Sequence, residues 1–258
     1  RLPFYGLAVL CLDNEHVQDL IPHIKKRYIT YGLSAQADFQ AANIEVAGAK
    51  SRFGVYHAGA HMGDITLGLP GRHNIANALA SIAVGYELDI PFETIRTALE
   101  NSAGVQRRLE IKGDTAGVKV LDDYGHHPTE IKSTLEAVRT SWPERRLVVV
   151  FQPHRYSRTR ALFDGFARSF YQSDVLLVLP IYAANEPGIA GVDHNGLCEA
   201  ISAHGHKNAR AVADAETAIM QLTQMLQPGD MVLTLGAGNV WQVGEALIER
   251  LGGNRPGK

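Results

Sequence analysis

The run Leu147-Val148-Val149-Val150-Phe151 has no polar residue on either face. Side chains of a strand alternate between its two faces, so a run like this must be covered on both sides. Helices laid over both faces of a mostly parallel sheet supply that cover. Residues 118–122, 175–179, 209–212 and 231–235 have similar Val- and Leu-rich character. Between these strands the sequence predicts helices near residues 128–141, 158–172, 194–204 and 215–226, with a last one at 239–251. The expected class is α/β, with a C-terminal Rossmann-like domain of mostly parallel sheet.

The first part of the chain reads differently. An apolar run at 7–12 ends in Asp13-Asn14, a turn or cap signal, and residues 17–24 have helical spacing. Residues 28–31 read as a strand. Three short strands at 43–47, 52–57 and 63–69, punctuated by glycines, suggest an antiparallel meander. Beyond Pro70-Gly71, residues Ile75, Ala78, Leu79, Ile82, Ala83 and Tyr86 recur at helical spacing, and Phe92, Ile95, Ala98 and Leu99 begin a second helix. The expected division is a small antiparallel sheet with helices over residues 1–108, then the α/β domain over 109–258. Two domains suit 258 residues. The tail 252–258 is expected to fray.

Charge and cysteine usage narrow the function classes. Lysine and arginine total 25 against 27 acidic residues, a net charge of -2, which argues against a nucleic-acid sleeve or a polybasic membrane binder. The longest apolar run, 175–184, contains Pro180 and is half a bilayer span, so no transmembrane helix is expected. Cys11 and Cys198 are too few for a disulfide scaffold and fit a reducing compartment. No Gly-x-x-x-x-Gly-Lys-Ser/Thr and no Gly-x-Ser-x-Gly occurs.

Ligands of open parallel sheets bind beyond the carboxyl ends of the strands. The residues that follow the predicted strands are Asp122-Asp123-Tyr124-Gly125-His126-His127, Gln152-Pro153-His154-Arg155-Tyr156-Ser157-Arg158, Tyr182-Ala183-Ala184-Asn185-Glu186 and Gly236-Ala237-Gly238-Asn239. The first set is a candidate for substrate or nucleotide contact. A metal cluster is a second reading without a known zinc spacing, and a capped strand with a packed histidine is a third. Arg155 and Arg158, three apart at a strand-to-helix junction, make an anion site, unless one of them is a structural ion pair with Glu186. Gly236-Ala237-Gly238 lacks the third glycine of a dinucleotide fingerprint and suits close backbone approach or helix capping. By spacing alone, Asn74 is a helix cap, although Asn74 and Asn77 on one face could also read a base edge. Arg107-Arg108 alone is an ordinary solvated pair.

Four elements together resemble the Mur ligase family. They are Pro70-Gly71-Arg72-His73-Asn74-Ile75-Ala76-Asn77-Ala78-Leu79-Ala80, Gly104-Val105-Gln106-Arg107-Arg108, Asp122-Asp123-Tyr124-Gly125-His126-His127-Pro128-Thr129-Glu130-Ile131 and Phe151-Gln152-Pro153-His154-Arg155-Tyr156-Ser157-Arg158-Thr159. The resemblance implies the later part of a central ATP-binding domain followed by a C-terminal amino-acid-binding domain. It also implies a UDP-sugar domain and a phosphate loop outside these residues, and the start at Arg1 suggests a fragment. The implied activity is ATP-dependent amide formation between L-alanine and the carboxylate of UDP-N-acetylmuramate through an acyl phosphate, in the cytoplasm. Such chemistry depends on positioning and charge neutralisation.

The implied partners are ATP, Mg2+ held mainly outside this chain, L-alanine and the UDP-sugar, with no nucleic acid and no membrane. No catalytic residue is implied within these residues. Asn74 and Asn77, with His73 beside them, would read the adenine. Arg108 and Asp123 would bracket the ribose and phosphates from the far side of a cleft that closes between domains. Tyr124, His126, Arg155 and Arg158 would hold the alanine, with Glu186 a weaker candidate for the same pocket. Leu109 stands where the family more often has an aromatic residue. Asn185 replaces a common glycine in a turn it can tolerate. Competing expectations are a ligase that recycles a tripeptide onto the same UDP-sugar, a folate- or cyanophycin-type ligase, and a Mur-like module that binds without turnover.

Overall fold

A computed structural model of the protein describes residues 3–102 and 104–252. They form two compact units divided between Gly104 and Val105. Arg107 and Arg108, expected to close the first domain, therefore open the second. Apart from Gly252, the tail lies outside the described residues.

The first unit runs β1 (Ala8–Cys11), α1 (Glu15–Leu20), β2 (Tyr28–Gly32), β3 (Phe39–Ala47), β4 (Lys50–His57), β5 (Ala60–Leu67), α2 (Arg72–Glu87) and α3 (Phe92–Glu100). Asn14 caps α1 by accepting from the Val17 amide at 3.2 Å. The sheet order is β1-β2-β3-β4-β5. The meander β3-β4-β5 is antiparallel, while β1, β2 and β3 pair in parallel, so the sheet is mixed. Phe39, Phe53 and Ile65 from the sheet are fully buried in one core with Ile75, Leu79 and Ile82 of α2. These α2 positions follow the helical spacing read from sequence.

The second unit runs β6 (Glu110–Thr115), β7 (Val118–Asp123), α4 (Pro128–Ser141), β8 (Leu147–Phe151), α5 (Tyr156–Ala161), α6 (Phe163–Ala167), β9 (Val175–Val178), α7 (His194–Ala203), β10 (Ala209–Ala211), α8 (Ala215–Met225), β11 (Met231–Leu235) and α9 (Trp241–Arg250). The strand order is β10-β9-β8-β11-β7-β6, parallel throughout except for the edge pair β6–β7. In the central strand, Leu147, Val149 and Phe151 pack with Ile131, Leu135, Phe166 and Leu197. Val148 and Val150 pack on the opposite face with Ile219, Val243 and Leu247. The run is thus split residue by residue between two cores, as its two apolar faces require.

Two features depart from the sequence reading. The polar edge strand β6 shows little apolar alternation and was not expected. The single helix expected over 158–172 is instead the two short helices α5 and α6, because Leu162 leaves helical geometry at φ -117° and ψ 21°. Among the described residues no helix is long and apolar enough to cross a membrane. Both cysteines are free thiols.

Buried His206, 7% exposed, lies with Nε2 at 2.9 Å from the Ser173 hydroxyl. Burial pulls its pKa below the ordinary histidine value. The folded state therefore favours the neutral ring. The resulting stabilisation is intact above about pH 6.5 and is lost as the pH falls through the lowered folded value. The urea midpoint should drop between pH 7.5 and 5, and His206→Gln should flatten that slope. An unchanged slope in the variant would remove His206 as the cause.

Candidate functional site

The carboxyl ends of β7, β8, β9 and β11 carry the polar loops of the second unit. The first loop is built around two buried carboxylates. Asp122 is fully buried and accepts from the Thr234 hydroxyl at 2.6 Å and from Arg107 Nε at 2.9 Å. Asp123 accepts from the amides of Leu109 at 2.9 Å and Gly125 at 2.8 Å, and from the Thr134 hydroxyl at 3.1 Å. Burial pushes both carboxyls above the usual range. Thr234 and Arg107 oppose this at Asp122, and the two amides oppose it at Asp123.

Arg107 corrects the sequence reading, which left Arg107-Arg108 as a solvated pair. Besides Asp122, its guanidinium donates to the carbonyls of Gly236 at 2.5 Å and Gly238 at 3.1 Å. It also lies over the Tyr124 ring at 5.0 Å, while the Tyr124 amide donates back to the Arg107 carbonyl at 2.6 Å. Arg107 thus ties the end of β7 to the loop after β11. Arg108 does fit the exposed reading. Its guanidinium is 5.7 Å from the Tyr124 ring centre and 4.0 Å from Glu130.

His127 caps α4 in a reciprocal capping box with Glu130. Glu130 accepts from the amides of His126 at 2.9 Å and His127 at 3.1 Å. That fixes His126, whose Nδ1 sits 3.0 Å from the Tyr124 carbonyl. The Tyr124 and His126 rings meet edge to face at 5.3 Å, and His126 is 6.2 Å from His154. His154 then stacks on Tyr182, with centroids 5.4 Å apart and planes at 12°. A continuous chain of ring contacts therefore joins the loops after β7, β8 and β9.

At the end of β8, Arg155 has φ 73° and its amide donates to the Tyr182 carbonyl at 2.8 Å. Its guanidinium pairs with Glu186 at 3.4 Å, the ion pair that the sequence left open. Glu186 also accepts from the Ser157 amide at 3.0 Å and hydroxyl at 2.7 Å, which hold its pKa below the usual carboxylate range. Arg158 Nη1 lies 3.3 Å from His154 Nδ1. Burial, then the charges of Arg158, His126 and Arg155, push the His154 pKa down and favour a neutral ring. Asn185 adopts φ 66°, as expected of an asparagine in place of glycine.

The glycines after β11 allow close approach, as read from sequence. A Cβ on Gly236 would sit 2.6 Å from the Gln152 carbonyl oxygen, and one on Gly238 would sit 2.8 Å from Tyr182 Cγ. Tyr124, His126, Arg155, Arg158 and Glu186 thus lie along one linked set of loops with Arg108. This set presents the guanidinium groups of Arg108, Arg155 and Arg158 beside two carboxylates, Glu130 at 4.0 Å from Arg108 and Glu186 at 3.4 Å from Arg155, and such groups suit a carboxylate or phosphate. His154 and Tyr182 complete the chain but were not singled out from sequence. Their signal was their place in the loops after two parallel strands.

The first unit carries the remaining candidates on the opening turn of α2. Gly71 occupies the N-cap position with no side-chain cap. Asn74 is therefore not the cap expected from spacing. It lies within the first turn, nearly buried, and its amide donates backward to the Pro70 carbonyl at 2.8 Å. Asn77 is exposed and His73 is half-buried. Among the described residues no group of three His, Cys, Asp or Glu could hold a metal ion.

Comparison with known proteins agrees with this architecture. Residues 107–238 match the Mur ligase glutamate ligase domain, and residues 1–85 match the Mur ligase middle domain. The UDP-N-acetylmuramate–L-alanine ligase of Desulforapulum autotrophicum is 60% identical over 97% of this chain and 55% of its own length. The ligase of the same name from Geobacter sulfurreducens is 50% identical over 97% and 54%. The chain thus spans about half the length of the curated relatives it matches. A crystal structure of the UDP-N-acetylmuramate–alanine ligase from Thermotoga maritima superposes with TM-score 0.73 and 25% identity, over 86% of this chain and 47% of that one. A MurF ligase from Thermotoga maritima, solved with ADP, shares the fold at TM-score 0.72 and 17% identity, over 97% and 55%. With its second unit matched over most of its length and its first over residues 1–85, the chain belongs to the Mur ligase family.

Proposed function

We propose that these residues form part of an ATP-dependent ligase of peptidoglycan synthesis that joins L-alanine to the carboxylate of UDP-N-acetylmuramate. The observation that carries the reading is the ring-linked cluster of Tyr124, His126, His154, Arg155 and Arg158 at the carboxyl edge of the sheet. The identity to alanine-adding ligases supports it. In the reaction, the sugar carboxylate attacks the γ-phosphate of ATP and ADP departs. The alanine amine then attacks the acyl phosphate carbon, and phosphate leaves with the oxygen it carried. The second step needs the amine held in line while negative charge builds on the carbonyl oxygen.

In this reading Arg155 and Arg158 grip the alanine carboxylate, and Tyr124 and His126 fix its orientation. Glu186 and Ser157 set the Arg155 side chain. Asn74, Asn77 and His73 contact adenine, and Arg108 contacts ribose and phosphate. Asp123, whose oxygens already accept three bonds, supports that contact by holding Leu109 and Gly125. Mg2+ would accompany ATP, but no group of three ligands for it exists among the described residues. No step is therefore assigned to the ion.

The sequence lacks a Gly-x-x-x-x-Gly-Lys-Ser/Thr loop, so residues 1–258 alone should release no phosphate from ATP with L-alanine and the UDP-sugar. A malachite-green assay checks this, and sustained turnover by these residues would overturn it.

A further inference from the structure

The second unit carries a cavity of about 460 Å³ whose lining includes neither Tyr124 nor His126. It lies at the carboxyl ends of β8, β9 and β11, against the start of α8 and the first turns of α9. The chain after β8 leads to α6, packed on one face, whereas the chain after the neighbouring β11 turns to α9 on the other. Such a reversal opens a crevice, which is where open α/β sheets bind ligands. The volume is within the range of small-molecule pockets.

The lining decides what can enter. The walls are mainly apolar, among them Leu179, Ile219 and Val243, and the polar groups include the amides of Gln152, Asn239 and Gln242. No lysine, arginine or histidine lines the cavity. The one ionised group is Asp214, which caps α8 by accepting from the Thr217 amide at 2.7 Å. The Thr217 amide holds its pKa below the usual carboxylate value. The positive end of α8 is therefore already answered by a carboxylate of the chain, and an incoming anion would meet repulsion. Gln152 Nε2 donates to Asn239 Oδ1 at 3.0 Å, so the groups left for an occupant are the Gln152 side-chain carbonyl oxygen, the Asn239 amino group and the Gln242 amide, a donor and acceptor set that complements another amide or a nucleobase edge.

We propose that this cavity is a second small-molecule site, distinct from the arginine cluster, for a neutral heterocyclic amide or unphosphorylated nucleobase-like molecule. Tyr182 lines the cavity and stacks on His154, so an occupant would lie one ring away from the arginine cluster.

Nicotinamide and nicotinate are suitable probes, since they share a shape and differ in charge. In amide NMR spectra of the whole chain, nicotinamide should shift Ala183, Ala215, Asn239 and Ala246 in a saturable way. Nicotinate should bind about tenfold more weakly. Asp214→Asn keeps a good helix cap and should close that gap, while Ala246→Phe, which fills the cavity, should abolish both responses. Several results would overturn the proposal. These are no saturable shift up to the solubility limit, equal binding of the two probes to the unaltered chain, or shifts that survive Ala246→Phe in a variant with an otherwise native spectrum. Shifts confined to residues around Arg155 would likewise assign the probe to the arginine cluster.

Discussion

Arg107→Ala should destabilise the second unit by about 3 kcal/mol, the scale for removing one partner of a buried ion pair. Asp122 has no exposed side chain and would keep only Thr234 as a neutral donor. The carbonyls of Gly236 and Gly238 would lose their charged donor at the same time. The loss should have a recognisable pH signature. Asp122 already has a raised pKa from burial, and removing the guanidinium raises it further. Protonation then relieves the unpaired charge, so the penalty should shrink as the pH falls through the raised folded value of Asp122 toward the ordinary carboxylate value. Adding Asp122→Asn to Arg107→Ala should recover part of the loss at pH 7. Urea denaturation of the single and double variants checks both points. A single variant as stable as the parent would return Arg107 to the solvated role its sequence suggests.

Arg155→Ala tests the proposed grip on the alanine carboxylate more than it tests the fold. Its side chain is half-exposed and its one carboxylate partner among the described residues, Glu186, keeps Ser157 as a second donor. Folding should therefore be little affected. In a ligation-competent form of the protein, L-alanine use should weaken by about 2–4 kcal/mol, as expected when a charge-assisted bond to a carboxylate is lost. The KM for ATP should barely move. Arg155→Lys should recover only part of the loss, because an ammonium group cannot reproduce the two-pronged geometry. Equal losses for alanine and ATP would make Arg155 a structural residue.

The regions legible in the sequence were those where local pattern and burial agree. The strand Leu147–Phe151, the strand Met231–Leu235 and the helix Pro128–Ser141 follow directly from apolar periodicity and a proline at a helix start. The strand Glu110–Thr115 was not legible. It sits at a sheet edge with a mostly polar sequence, so no alternation marks it. The break at Leu162 depends on how two short helices pack, which local propensity does not record.

The site divides in the same way. Arg155 and Arg158 were visible because they follow a strand and lie three residues apart. Arg107 was not, because its partners come from elsewhere in the chain: Asp122 lies 15 residues away and Gly236 lies 129 away. A charge pair between Gln106 and Leu109 carries no local sign that its guanidinium will hold a loop from the far end of the domain. Asn74 failed as a cap for a related reason. The backbone at Gly71 begins the helix three residues early, which places the amide inside the first turn rather than before it.

The proposed role of the arginine cluster is tested most directly by a crystal structure of the protein with UDP-N-acetylmuramoyl-L-alanine. The account predicts the alanyl carboxylate within about 3 Å of a guanidinium nitrogen of Arg155 or Arg158, with Tyr124 and His126 lining the same hollow. A carboxylate bound elsewhere, with both guanidinium groups turned from the ligand, would contradict it.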